Sequence, residues 1–297
     1  MRDRICSLLP SATEIVFVLG LEDRLVGVTH ECDFPEAARR LPVVTRSVLG
    51  HEMRDSRDID RHIRTALHEG SSLYVLEQDL LERLDPELIL TQELCDVCAV
   101  SYALVEAAVL RLEGKRQVLS LEPTNLGGIL SSIEEVADAT GVPDRATAVV
   151  TALRRRIDAV SAQASDVSAG PRVLAVEWLD PLFTAGHWVP EMIRLAGGRD
   201  VLGVEGRPST QVAWSRALDG DPDIIVLMPC GFSLEQTVDE AARLRFVEEW
   251  SRRTSGGTPR VYAANGSAYF NRPGPRIVDG LEILLEIIQP HRSPVRW

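Results

Sequence analysis

The sequence predicts an α/β fold: two Rossmann-like α/β lobes joined by one long backbone helix, with a ligand cleft between the lobes. Three observations carry this. Short β-branched runs alternate with helix-period segments, as βαβ units and a parallel sheet require. One helical pattern, Asp144 to Ser165, is unusually long and holds no internal Gly or Pro. A weak internal repeat relates the two halves. "DLLERLDPELILTQELC", ending at Cys95, and "WSRALDGDPDIIVLMPC", ending at Cys230, each read as helix, acidic–Pro–acidic turn, buried strand, loop and cysteine.

In chain order, "RICSLL" is a strand and Ser11 starts a helix that runs to Leu19; "RLVGVT" is the next strand. "GHEMRDSRDIDRHIRTALHEG", Gly50 to Gly70, reads as a charged helical insertion in the first lobe, its three histidines either ligands or, the favoured reading, part of a solvated helix face. "EQDLLERL" is a short helix before the strand "PELILTQ". "SYALVEAAVLRLEG" is a helix, "RQVLSL" a strand, and "LGGILSSIEEVADATG" a helix capped by Gly141. After the long helix, "RVLAVEW", "DIIVLM" and "RVYAA" are strands. "PEMIRLAGG", "WSRAL", "SLEQTVDEAARLRFVEEW" and "PRIVDGLEILLEIIQ" are the helices between and after them. The expected boundaries are 1–143 for the first lobe, 144–166 for the backbone helix and 167–297 for the second lobe.

The chain has 297 residues, 45% of them hydrophobic, which suits one large domain or two lobes. Its formal net charge of −12 argues against sequence-independent nucleic-acid binding, which needs a basic face. Arginine supplies nearly all the positive charge, Lys115 being the only lysine. No apolar run approaches a membrane span, so no membrane insertion is expected. The opening "MRDRICSLLPSATEIVFVLGL" reads as strand, turn and helix rather than as a secretory signal, so a cytoplasmic location is expected. In a reducing compartment the five cysteines gain weight as metal ligands or catalytic groups.

In open α/β sheets, ligands bind outside the carboxyl ends of the strands. Four cysteines fall there: Cys32 in "VGVTHECDFPE", Cys95 and Cys98 in "CDVC", and Cys230 in "MPCGF". Cys6 lies within the first strand and reads as a core residue. Thiolates suit zinc or an iron–sulfur cluster. Three readings stand open: a metal or cluster site, small buried residues that shape loops, and a redox pair of Cys95 with Cys98. His30 and Glu31 either join such a site or hydrogen-bond within their turn. "EWLDPLFTAGHWVPE" adds Glu177, Trp178, His187, Trp188 and Glu191, aromatic surface beside a histidine that suits a flat, partly apolar ligand. "NGSAYFNRPGPR" adds Tyr269, Phe270, Arg272 and Arg276, and "SLEPTNLGG" adds Glu122 at a strand end. No nucleophile–base constellation is specific enough to name a reaction, and no phosphate-binding G-x-x-x-x-G-K-[ST] loop is present.

"SLLPSATEIVFVLGLEDRLVGVTHECDFP", "PLFTAGHW", "LAGGRDVLG", "DPDIIVLMPCGF" and "RPGPRIVDGLE" resemble the class III substrate-binding proteins with a rigid interdomain helix, nearest the cobalamin-binding proteins of vitamin B12 ABC importers. The resemblance spans nearly the whole chain. It implies two α/β lobes bridged by one helix, a shallow cleft and little hinge motion. Such proteins dock on their permease through an acidic residue on each lobe. The matching positions here are Asp79 and Ser215, so one docking charge is missing and the case for ABC permease docking is weakened. The aromatic-lined pocket of the family is replaced by Glu31, Gln92 and Glu93, while Arg272 matches a pocket arginine. The resemblance implies a non-catalytic binder of cobalamin (vitamin B12) or a related metal chelate. Trp178, Trp188 and Tyr269 would pack on it, with His30, His187 or a thiolate near its metal. The alternatives are a metalloprotein that holds zinc or an iron–sulfur cluster through Cys32, Cys95, Cys98 and Cys230, and an importer component whose export segment lies outside this sequence.

Overall fold

Continuous apolar runs of about four to seven residues suit strands covered on both faces, and the chain uses them so. In the computed structural model, which describes residues 4–48, 55–68, 73–93, 102–112, 116–164, 170–244 and 259–289, the chain divides into two compact units. Unit 1 comprises the chain up to residue 150, except that residues 54–60 and 124–127 group with unit 2, as does everything from Thr151 onward.

In unit 1, β1 (Ile5–Ser7) leads into α1 (Pro10–Val18) and β2 (Leu25–Val28). A small antiparallel pair, β3 (Thr45–Ser47) and β4 (Tyr74–Leu76), flanks α2 (Ser56–His68) in sequence. Then come α3 (Gln78–Leu84), β5 (Leu88–Thr91), α4 (Tyr102–Val109), β6 (Gln117–Ser120) and α5 (Leu126–Ala139). The four main strands are all parallel, in the order β2-β1-β5-β6. Cys6 is sealed between this sheet and its helices with Leu81, Ile89 and Val105, and burial pushes its thiol well above the usual range.

The long helix α6 spans Pro143–Gln163. Its early turns belong to unit 1, where Arg145 donates to the carbonyls of Leu19 and Gly20 at 2.9 and 2.8 Å. Its later turns belong to unit 2. There Arg156 bridges Glu282 (Nε–Oε1 2.9 Å) and Asp279 (Nη2–Oδ1 2.5 Å), whose hydrogen bonds raise the guanidinium further above its ordinary value. The helix is therefore shared between the units rather than a separate segment.

Unit 2 continues with β7 (Arg172–Trp178), β8 (Phe183–Thr184), α7 (Val189–Leu195), β9 (Arg199–Asp200) and β10 (Thr210–Gln211). There follow α8 (Trp214–Asp219), β11 (Ile224–Leu227), α9 (Leu234–Leu244), β12 (Arg260–Ala263), a single turn α10 (Gly266–Tyr269) and α11 (Ile277–Ile288). Strands β7, β11 and β12 are parallel and in register, with Val176, Leu227 and Ala263 level. On the other side β8 runs antiparallel to β7, and β10 antiparallel to β8. Among the described residues, no helix is long and apolar enough to cross a membrane.

Asp200 turns the chain out of β9. Its Oδ1 accepts from the backbone N–H groups of Leu202 (2.9 Å) and Gly203 (2.5 Å), while Oδ2 is buried without a partner. Burial pushes this carboxyl up to about 6, against the two amide bonds that lower it. Between about pH 4 and 6 the folded state therefore holds a proton that the unfolded chain has released. The contribution is fully present below the unfolded value and is lost as pH rises through about 6. Asp200→Asn keeps the Oδ1 acceptor and cannot ionise. In urea melts its stability relative to wild type is expected to improve by roughly 1–3 kcal/mol from about pH 4.5 to about pH 7.5. The same difference at both pH values would contradict this account.

Candidate functional site

The carboxyl ends of the unit 1 strands carry four of the expected polar residues. Glu31 follows β2, Gln92 and Glu93 follow β5, and Glu122 follows β6. Glu31, Glu93 and Glu122 are exposed, and Gln92 is 8% exposed. Glu122 accepts from the Ser120 hydroxyl at 2.7 Å.

The thiol and imidazole of the same turn face inward. Cys32 is 5% exposed, with Sγ 3.0 Å from the buried Thr13 hydroxyl. It packs as part of the core rather than offering a thiolate at the edge. Thr45 donates its hydroxyl proton to Thr29 Oγ1 (2.8 Å), and His30 Nδ1 lies 2.7 Å from the same Thr45 oxygen. The other ring nitrogen is buried, 3.5 Å from Glu31 Oε1. His30 is half-buried and hydrogen-bonded within its own turn, and neither it nor Cys32 belongs to a group of three potential metal ligands among the described residues. Cys95 and Cys98 lie outside the described residues. Among the described residues no three His, Cys, Asp or Glu side chains converge as a metal would require, so nothing here supports the zinc or iron–sulfur reading.

The unit 2 edge is richer. Trp178 ends β7, Cys230 follows β11, and Tyr269, Arg272 and Arg276 lie in and after the turn α10 that follows β12. All five are half-buried. The Trp178 ring meets Phe232 edge-on, with centroids 5.3 Å apart. The Arg276 guanidinium lies 5.9 Å from the Tyr269 ring centroid. Aromatic rings and guanidinium groups of this kind, gathered on one wall, would suit a flat, partly apolar ligand that carries acceptor groups.

Two residues expected on this wall are in the core. Phe270 is fully buried, and Trp188 is 6% exposed with its indole N–H bonded to the Phe270 carbonyl at 2.7 Å. Loop aromatics read from sequence as surface were claimed by packing. His187 is half-buried at φ 52°, stacked on Trp188 with ring centroids 5.6 Å apart. Burial lowers its imidazole below the ordinary value, which favours the neutral form. His187 is not carried on an edge loop. The antiparallel β8 takes the chain back from the edge, and Ala185 N already bonds Ala175 O at 3.0 Å. A strand of two residues is too short to leave a periodic pattern in the sequence. Glu191 caps a helix instead, accepting the Leu126 N–H at the start of α5 at 2.9 Å. His62 and His68 are exposed.

Sequence reasoning missed Ser56, Arg57, Phe232 and Glu240. The indole of Trp178 donates to the Ser56 carbonyl at 3.2 Å, and Arg57 pairs with Asp180 at 2.6 Å. No local signal marks them, because Ser56, Arg57 and Glu240 meet partners more than a hundred positions away and Phe232 meets Trp178 from 54 positions away.

Comparison with known proteins adds the following. The family described as periplasmic binding protein matches residues 5–265. A vitamin B12-binding protein of Yersinia pseudotuberculosis is 25% identical over 272 residues, 88% of this chain and 83% of its own length. The crystal structure of the periplasmic vitamin B12 binding protein BtuF of Vibrio cholerae superposes with a TM-score of 0.68 at 22% identity, covering 97% of both chains. A periplasmic heme binding protein from Pseudomonas aeruginosa gives 0.66 at 21% identity, covering 100% of this chain and 96% of its own. These matches describe a binding protein and not an enzyme. They overturn the cytoplasmic expectation, since the family and its solved neighbours are periplasmic. The strand–turn–helix at the start of the chain is the first βα unit, a feature of the fold that says nothing of location. The reducing-compartment argument for cysteine metal ligands falls with it.

Proposed function

We propose that this chain, which belongs to the periplasmic binding protein family, captures cobalamin or a related metal chelate without chemical change. The observation that carries this reading is the aromatic and cationic edge of unit 2. There Trp178 and Tyr269 offer ring faces, and Arg272 and Arg276 offer donors for the amide or carboxylate groups at a macrocycle's rim. The vitamin B12-binding relatives that match across most of the chain support the corrinoid. Haem is the second reading, favoured by the heme-binding structural neighbour. Asp79 is exposed and Ser215 carries no charge, so an importer permease would find a single acidic docking point.

Titration with hydroxocobalamin and, separately, haemin tests this. The expected result is a shifted corrinoid spectrum that stays with the protein on gel filtration. Trp178→Ala is expected to weaken binding by about tenfold, roughly 1.4 kcal/mol. Binding of haemin alone would select the second reading, and binding of neither removes both.

A further inference from the structure

We propose that residues 55–57 complete the carboxyl edge of unit 2, and that Glu240 is a positioning residue that sets the Trp178 indole through Ser56. The inference rests on the reading of Trp178 as a ligand contact. Ser56 is fully buried and 122 positions from Trp178, yet it groups with unit 2. Its backbone N–H donates to Glu240 Oε1 at 3.0 Å, and its hydroxyl donates to the same oxygen. Glu240 is 4% exposed. Arg243 completes its coordination, with Nη2 2.7 Å from Oε1 and Nε 3.0 Å from Oε2, and Arg243 Nη1 reaches on to Asp55 Oδ2 at 2.8 Å.

A buried carboxylate with this many donors holds its partners in one arrangement. Ser56 is tied at its nitrogen and its side chain, and the N–H of the next peptide, Arg57 N, donates to Asp55 Oδ1 at 2.9 Å, so the Ser56 carbonyl has a fixed direction. That carbonyl receives the Trp178 N–H. Arg57 pins Asp180, two residues beyond Trp178, and Phe232 closes on the ring. The indole is therefore fixed at its polar tip and its edge while the residue stays half-buried. Stability alone does not call for this design, since a buried ion pair is commonly replaced by apolar groups without loss. A ring held still before a flat ligand arrives loses little freedom on binding, and this network secures that.

The test is a double-mutant cycle between Glu240→Leu and Trp178→Phe, read with hydroxocobalamin and haemin. Glu240→Leu is expected to weaken binding about fivefold when Trp178 is present and less than about twofold in the Trp178→Phe chain. The near-ultraviolet circular dichroism band lost in Glu240→Leu should be the one that Trp178→Phe removes. Glu240→Gln keeps an acceptor for Ser56 and should restore most of both signals, and it serves if the leucine variant fails to fold. Equal losses in both backgrounds would overturn the proposal, because a merely structural role acts on each alike. An unchanged near-ultraviolet band in Glu240→Leu would overturn it too. If the wild-type chain binds neither macrocycle, the functional reading and the ligand half of this inference fall together. The dichroism comparison then decides the positioning of Trp178 by itself.

Discussion

Gly280→Ala is expected to unfold unit 2 or leave it marginal, a loss of about 3 kcal/mol or more. Gly280 is buried within α11, and a Cβ there would overlap the carbonyl oxygen of Tyr269. That carbonyl belongs to α10, whose backbone is held by Tyr269 N to Asn265 O at 3.2 Å and by Phe270 N to Gly266 O at 3.0 Å. The obstacle is main chain and cannot rotate aside as a flexible side chain would. Helix propensity acts in the opposite direction, favouring alanine by about 1 kcal/mol, so the close approach decides the sign. Gly141→Ala is the control. Gly141 has φ +73° and no atom within 4 Å of an added Cβ, so only left-handed strain remains, about 1 kcal/mol. Thermal melts should rank wild type above Gly141→Ala and Gly141→Ala well above Gly280→Ala. A Gly280→Ala melting temperature at or above that of Gly141→Ala would sink the argument. Because the same contact seats the turn that carries Tyr269, any folded fraction should also bind the proposed ligand more weakly.

The parallel strands and α6 were legible in the sequence because one local signal decides each. "LIL" in β5 and "IIVL" in β11 are apolar without interruption, as strands covered on both faces are, and every residue of both strands is buried. α6 keeps helical spacing over many turns and has no breaker until its end. Trp178 was legible as the last residue of the apolar run that forms β7, while Tyr269 lies in the single turn α10 beyond β12. What escaped was decided by partners far along the chain. The first turn of α2 reads as a solvated charged face, yet Ser56 is buried against Glu240, 184 positions away. The burial of Cys32 depends on Thr13 in α1, and the burial of Trp188 on the Phe270 carbonyl. Composition cannot separate an aromatic that faces a ligand from one that closes a core, because both bury the same surface.

Phe270 lets that distinction be measured. Phe270→Ala is expected to destabilise the protein by about 3–5 kcal/mol, the range for emptying a fully buried aromatic site. Its ring is sealed from solvent, and its carbonyl is the acceptor for the Trp188 indole. Trp188→Phe should fall in a lower range, about 1–3 kcal/mol, because the ring is largely preserved while the Phe270 carbonyl loses its donor in a buried place. The two residues share one hydrogen bond, so the double variant should lose less than the sum of the singles. Chemical denaturation of the four chains reads all of this. A ligand-facing aromatic would behave in the opposite way. Its replacement would leave the unfolding midpoint unchanged and weaken binding of hydroxocobalamin or haemin directly. If Phe270→Ala shows that pattern, the ring serves the ligand rather than the core. If the midpoint falls as expected, Phe270 is the anchor for the segment that carries Tyr269, one residue before it, and Arg272, two residues after it. Affinity then falls only as far as that anchor is lost.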